Sequence, residues 1–165
     1  MLCHMKTSSP SAYHLAQVNV GVLRAPLSDP SMAGFSTRIE PINALADEAP
    51  GFVWRLVGEG EEDATGLRPF GDALLINYSV WEDVESLWNF TYRSEHLELL
   101  RGRREWFEHL REAYLALWWV PSGTIPSVEE AGRRLDLLRA NGPTPEAFTL
   151  RTSFPPPADR VPHTR

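Results

Sequence analysis

Residues 73–120 read ALLINYSVWEDVESLWNFTYRSEHLELLRGRREWFEHLREAYLALWWV. An apolar run at 73–79 and another at 114–120 enclose a long stretch with helical spacing, roughly 81–111. Short β-branched and aromatic runs read as strands, and apolar residues three and four apart read as a helix face. Ser79 with Glu82 three residues later is a candidate capping box. Arg93-Ser94 divides the stretch into two helices, with Ser94 capping the second.

Working outward towards the N-terminus, residues 52–58 (FVWRLVG) are a strand, joined to 73–79 by the Gly- and acid-rich loop 59–72. Residues 34–48 are helical, with Phe35, Ile39, Ile42 and Leu45 in register. Pro41 either kinks this helix or opens its second half. In residues 13–24, Leu15, Gln17 and Asn19 alternate with Ala16, Val18, Val20 and Val22, which is strand periodicity. Towards the C-terminus, Ser127 and Glu130 form a second capping box for a helix to Ala140, stopped by Asn141-Gly142-Pro143. Residues 147–154 (AFTLRTSF) are a last strand.

The expected domain is residues 13–154, with disordered tails at 1–12 and 155–165. Its class is α+β: a ferredoxin-like β-α-β-β-α-β pattern with an added C-terminal helix and strand. Strands such as 114–120 are apolar on both sides, so the second face of the sheet needs a cover. A second copy of the same sheet is the simplest one.

A length of 165 residues suits one domain that needs no staples. The single cysteine, Cys3, cannot close an internal disulfide, and the first residues lack the apolar run of a secretory leader. No run approaches the ~18 apolar residues of a membrane span. A cytoplasmic protein without a membrane partner is expected. The net charge of -6 argues against a nucleic-acid partner. The basic cluster Arg101, Arg103 and Arg104 lies among Glu98, Glu105 and Glu108, as on any charge-laced helix.

Polar residues stand where packing would not place them. On a helical wheel of 94–111, Leu99, Leu100, Phe107 and Leu110 share one face, while Glu95, Glu98, Arg101, Glu105, Glu108 and His109 point away. His96 and Arg103 fall within the apolar face, with Arg104 at its edge. A buried charge is costly unless paired or functional. Either Arg103 snorkels and His96 is a satisfied core histidine, or this face lines a cavity that meets a polar ligand. Gln17 and Asn19 share a face of the first strand, and Asn77 sits mid-strand, where propensity disfavours it. These amides are candidates to orient a substrate. Trp54, Trp88, Tyr92, Trp106 and Trp119 are candidate aromatic walls, drawn from a chain with six tryptophans.

No Gly-rich phosphate loop, H-E-x-x-H or G-x-S-x-G motif occurs. Of the five histidines, His96 and His109 point to opposite sides of one helix and His4 and His163 lie in tails, so no histidine-rich metal site is expected. What remains is chemistry that needs a shaped pocket, an acid or base, or an organic cofactor.

NYSVWEDVESLWNFTYRSEH at 77–96, Arg103-Arg104-Glu105-Trp106-Phe107, LWWVPSGTIPSVEEA at 117–131, GPTPEAF at 142–148 and HLAQVNVG at 14–21 together resemble a bacterial family, domain of unknown function 3291. The resemblance spans about residues 13–157. It departs from the family at Thr124, where members often carry His after the Gly of the WWVP turn. A role for a histidine there does not transfer. The resemblance implies a dimeric α+β barrel, whose superfamily includes cofactor-free monooxygenases, haem-degrading oxygenases, dehydratases and cyclases. In haem-binding branches a histidine on the second helix ligates iron, and His96 is comparably placed. Fold does not fix function.

Three expectations follow. The first is a homodimeric biosynthetic enzyme, monooxygenase-like or cyclase/isomerase-like, taking a small hydrophobic or aromatic molecule between helices and sheet. His96 would be its general acid/base or, with haem, an axial ligand, and Arg103 would hold a carboxylate or oxyanion. No cofactor is expected unless haem binds. The second is a non-catalytic binding protein for such a molecule. The third is a structural dimer in which His96 and Arg103 only bond between elements.

Overall fold

The computed structural model describes residues 11–157. Four strands make one antiparallel sheet: β1 (Tyr13–Val22), β2 (Phe52–Arg55), β3 (Leu74–Trp81) and β4 (Leu115–Pro121), in the order β2-β3-β1-β4. Between β1 and β2 lie a 3-10 turn (Pro30–Met32), α1 (Ala33–Ser36) and α2 (Ile39–Glu48). Between β3 and β4 lie α3 (Val84–Arg93) and α4 (His96–Trp106), and α5 (Val128–Asn141) follows β4. The chain is thus α+β, as its periodicities imply. Pro41 stands in the first turn of α2, where its missing N–H costs nothing. Among the described residues no helix is long and apolar enough to cross a membrane.

Several boundaries differ from expectation. Residues 147–154 form no strand. Phe148 alone pairs with Leu117, exchanging both backbone hydrogen bonds at 2.8 and 2.9 Å, and the chain then leaves the edge of β4. Ser79 is no cap, because it lies buried inside β3. Asp83 caps α3 instead, its carboxylate accepting from the Ser86 N–H at 2.7 Å. Ser127 does cap α5, accepting from the Glu130 N–H at 3.2 Å. The Glu130 carboxylate turns to Arg133 and Arg134 rather than back to the cap. Residues 1–10 and 158–165 of the tails lie outside the described residues. Ala12, assigned to the N-terminal tail, is tied down, its carbonyl accepting from the Ser122 N–H at 2.9 Å. Replacing Asp83 by Ala should cost about 1 kcal/mol, read as a lower urea midpoint at an unchanged slope.

Strand pleating sorts side chains onto two faces. Ala16, Val18 and Val20 of β1 share one face with Ile76, Tyr78 and Val80 of β3 and Ala116, Trp118 and Val120 of β4. The chain covers this face itself. Ala131, Leu135 and Leu138 of α5 pack on it, with Leu67 and Phe70 from the loop before β3 alongside. The apolar underside thus has a cover within the chain itself. Fully burying an aliphatic side chain is worth roughly 1.5–3 kcal/mol, so Leu135 and Leu138, both buried, contribute strongly to holding α5 in place. The opposite face carries Leu15, Gln17, Asn19 and Gly21, opposite Trp81, Ser79, Asn77 and Leu75 of β3 in that order. Helices α2, α3 and α4 lie over it.

Candidate functional site

The helices do not close fully on this second face. They leave a cleft of about 250 Å3 above the centre of the sheet, lined by residues of β1, β3, α2, α3 and α4. Apolar walls come from Phe35, Ile39, Ile42, Leu87, Phe90, Leu99, Leu100 and Phe107. Its floor is polar, because the β1–β3 register sets Gln17 opposite Ser79 and Asn19 opposite Asn77.

The floor is a connected network. The amide nitrogen of Gln17, only 3 % exposed, donates to Asn77 Oδ1 at 2.6 Å and to Ser79 Oγ at 2.8 Å. Asn19 Nδ2 donates to Gln17 Oε1 at 3.1 Å and to Asn77 Oδ1 at 3.2 Å. Trp81 Nε1 donates to Ser79 Oγ at 2.9 Å. Buried polar groups cost little only when satisfied, and here the buried Gln17 and Ser79 are. Asn19 Oδ1 and Asn77 Nδ2 have no partner among the described residues, and both residues line the cleft. One acceptor and one donor are therefore left for a ligand.

His96 lies at the start of α4. Its backbone N–H reaches Ser94 Oγ at 3.2 Å, so Ser94 steadies the helix start, although Glu95 is the residue at the cap position. The His96 ring packs on Phe90 with centroids 5.1 Å apart. Its Nδ1 is 3.2 Å from the Thr91 carbonyl oxygen. A carbonyl only accepts, so Nδ1 carries the proton of the neutral ring and Nε2 keeps its lone pair. Nε2 has no partner among the described residues. Burial holds the His96 pKa below the usual imidazole value, partly offset by the Thr91 bond. A neutral imidazole with a free Nε2 on a cleft wall is a general base, or an acid once protonated.

Arg103, two turns along α4, also lines the cleft. Its guanidinium carbon stands 4.3 Å from the Tyr114 ring centre and 5.0 Å from that of Phe107. It makes no ion pair among the described residues. The other arginine on the cleft, Arg55, is neutralised in fork geometry by Asp47, at 2.7 and 3.2 Å.

Of the expected site residues, Gln17, Asn19, Asn77, Tyr92, His96 and Arg103 meet in this cleft. The four tryptophans do not line it. Trp54 lies on the other face of the sheet, its ring edge-on to Tyr78. Trp88 points outward, 41 % exposed, and packs against Tyr92 with the rings tilted by 46° and their centroids 4.4 Å apart. Trp106 is 4 % exposed and folds back over Gly102 towards Gly34, anchoring α4 to α1. Trp119 packs on Phe148 and donates Nε1 to the Phe154 carbonyl at 2.8 Å. Thr124 sits in the turn after β4 and does not line the cleft. The sequence reading overlooked Ser79, Trp81, Thr91, Asn43 and Tyr114. Alternation from Asn77 points to Ser79 and Trp81, but Tyr114 carries no local signal. Among the described residues no group of three His, Cys, Asp or Glu lies close enough to hold a metal ion.

A family model described as Domain of unknown function (DUF3291) matches residues 14–164. No curated protein matches the chain. Two solved structures are similar. The crystal structure of PA3566 from Pseudomonas aeruginosa is 13 % identical, with a TM-score of 0.47, over 71 % of this chain and 100 % of that one. The NE2512 protein of unknown function from Nitrosomonas europaea is 14 % identical, with a TM-score of 0.44, over 70 % and 97 %.

Proposed function

The chain belongs to the domain of unknown function 3291 family, whose description assigns no activity, and from that open position we propose that it is an enzyme of small-molecule metabolism. It takes a small ring-containing molecule into the helix–sheet cleft and moves a proton on it, in cyclase- or isomerase-like chemistry or in a cofactor-free, monooxygenase-like reaction. The single observation that carries this reading is the meeting, in one cleft, of a neutral His96 with a free Nε2 and an otherwise satisfied amide floor with one donor and one acceptor to spare. In the mechanism, the apolar walls take the ring and exclude water. Asn77 Nδ2 donates to a substrate carbonyl or hydroxyl oxygen, and Asn19 Oδ1 accepts from a hydroxyl. His96 Nε2 accepts a carbon- or oxygen-bound proton and returns it, while the Thr91 carbonyl stabilises the imidazolium through Nδ1–H. The same reading takes the β-α-β-β-α-β order and the β2-β3-β1-β4 sheet as a ferredoxin-like unit, in which these groups come from one chain.

The test needs no known substrate. Cyclic and aryl 1,3-dicarbonyl compounds in deuterium oxide should exchange their acidic C–H faster with the wild type than with His96→Ala, as followed by proton NMR. Binding without exchange would make this a carrier or sensor. Neither binding nor exchange across the panel would sink the reading.

Haem fits this reading in one respect only. A histidine whose Nδ1–H is held by a carbonyl is poised to ligate through Nε2. The cleft of about 250 Å3, however, lies below the roughly 300–1,000 Å3 of sites for drug-sized ligands, and a macrocycle is larger still. Added haem should give no Soret band that depends on His96. A sharp band lost in His96→Ala would reverse this.

The lowered His96 pKa also sets a pH dependence. The unfolded chain takes up the His96 proton first as pH falls, so this contribution to stability is present above the ordinary histidine value and lost as pH drops through the folded one. Urea midpoints should fall on acidification from pH 7.5 to 5, and fall less in His96→Gln.

A further inference from the structure

The charge inventory of the cleft narrows its ligand. Arg55 is neutralised by Asp47, and His96 is held towards its neutral form by burial. Asp63 is tied to Thr65, accepting from its N–H at 2.8 Å and from its hydroxyl at 2.6 Å. That leaves Arg103, half-buried, as the lining cation without a carboxylate among the described residues. Two aromatic rings hold it. Phe107 and Tyr114 attract the guanidinium face without using its N–H donors, so the donors stay available to an oxyanion.

The Phe107 ring occupies a place that one residue makes possible. A Cβ on Gly21 would stand 2.5 Å from Phe107 Cδ1 and 2.7 Å from Cε1, so the ring lies directly on the bare backbone of β1. Phe35 meets it edge-on, with centroids 5.1 Å apart. Any side chain at position 21 lifts Phe107 and disturbs the guanidinium above it.

We propose that the ligand of this cleft is a ring-bearing monocarboxylate, its carboxylate received by Arg103 between Phe107 and Tyr114, with Gly21 as a positioning residue for that receptor. One free guanidinium matches one carboxylate, whereas a phosphate monoester dianion would enter with a surplus charge and no second cation. This inference rests on the reading of the cleft as a small-molecule site.

Calorimetry with 2-naphthoate, 2-naphthamide and 2-naphthyl phosphate tests it, on the wild type, Arg103→Met, Gly21→Ala and the remote surface variant Arg133→Ala. The wild type and Arg133→Ala should bind the carboxylate at least about tenfold tighter than the amide or the phosphate, the ratio of one charge-assisted contact. Arg103→Met should abolish that preference while leaving amide affinity within about twofold, a split that a merely unfolded variant would not show. Gly21→Ala should lower carboxylate affinity several-fold more than amide affinity. Equal binding of the carboxylate and the amide by the wild type, or a preference that survives in Arg103→Met, overturns the inference and leaves the cleft a small-molecule site. A tighter phosphate overturns it as well. An equal loss of both ligands in Gly21→Ala removes the positioning role. Failure of all three probes to bind overturns the inference together with the reading beneath it.

Discussion

Replacing His96 by Ala is expected to slow proton transfer in the cleft about 10²–10⁴-fold, the usual contribution of a positioned acid or base. The fold should survive. His96 sits at the first residue of α4, and its side-chain contacts are the Phe90 ring and one carbonyl. Its loss therefore removes one hydrogen bond and part of a ring contact, on the order of 1–2 kcal/mol. His96→Gln keeps a polar side chain without imidazole basicity and should be as slow as Ala. Exchange rates from NMR, set beside urea midpoints for all three proteins, separate the two effects. Wild-type rates in both variants would remove His96 from the chemistry. A collapse of the midpoint with the rate would make it a satisfied core histidine, the first of the two alternatives that the helical wheel leaves.

Trp81→Ala should be the most damaging of the tryptophan substitutions on the cleft side of the sheet, costing about 3–5 kcal/mol. Trp81 is 1 % exposed and joins three parts of the molecule. It stacks on Phe90 of α3 at 5.1 Å and meets Phe52 of β2 edge-on at 5.4 Å. Its Nε1 donates to Ser79 at the end of the amide network. Removing it opens a cavity and deletes one donor to the hydroxyl that also receives Gln17. Trp81→Phe should recover most of the stability while still loosening the floor, visible as weaker ligand binding at a nearly unchanged midpoint. Trp88→Ala is the contrast. Its exposed ring touches Tyr92, and its loss should cost no more than about 0.5 kcal/mol. If Trp81→Ala and Trp88→Ala shifted the urea midpoint equally, the described packing of the sheet on α3 would be wrong.

These two tryptophans show where local pattern stops. A tryptophan count cannot separate Trp81, which lines the cleft, from Trp54, Trp106 and Trp119, which do not. Trp54 is turned to the other face by the register shift between Phe52 and Trp54, which separates two residues that regular pleating would keep on one face. Trp106 is drawn back over Gly102 by close packing. The amides were legible for the opposite reason. Gln17, Asn19 and Asn77 break the apolar character of strands, and a polar residue in the middle of an otherwise apolar strand is informative wherever it occurs. His96 and Arg103 stood out likewise, as polar members of an apolar helix face.

The sequence by itself determined the class, the positions of the four strands of the sheet, the break at Arg93-Ser94, and the face of α4 that carries His96 and Arg103. Periodicity and helix stops are local, and they act through neighbours a few residues apart. Tertiary structure alone decided the rest. It placed α5 on the underside of the sheet, because an apolar strand face specifies that it must be covered and not by what. It let residues 147–154 make one bridge to β4, at Phe148, instead of a strand. It also brought Gln17 against Asn77 and Ser79, and Phe107 onto Gly21. Those meetings depend on strand register and on helix packing over many intervening residues, which no local pattern encodes.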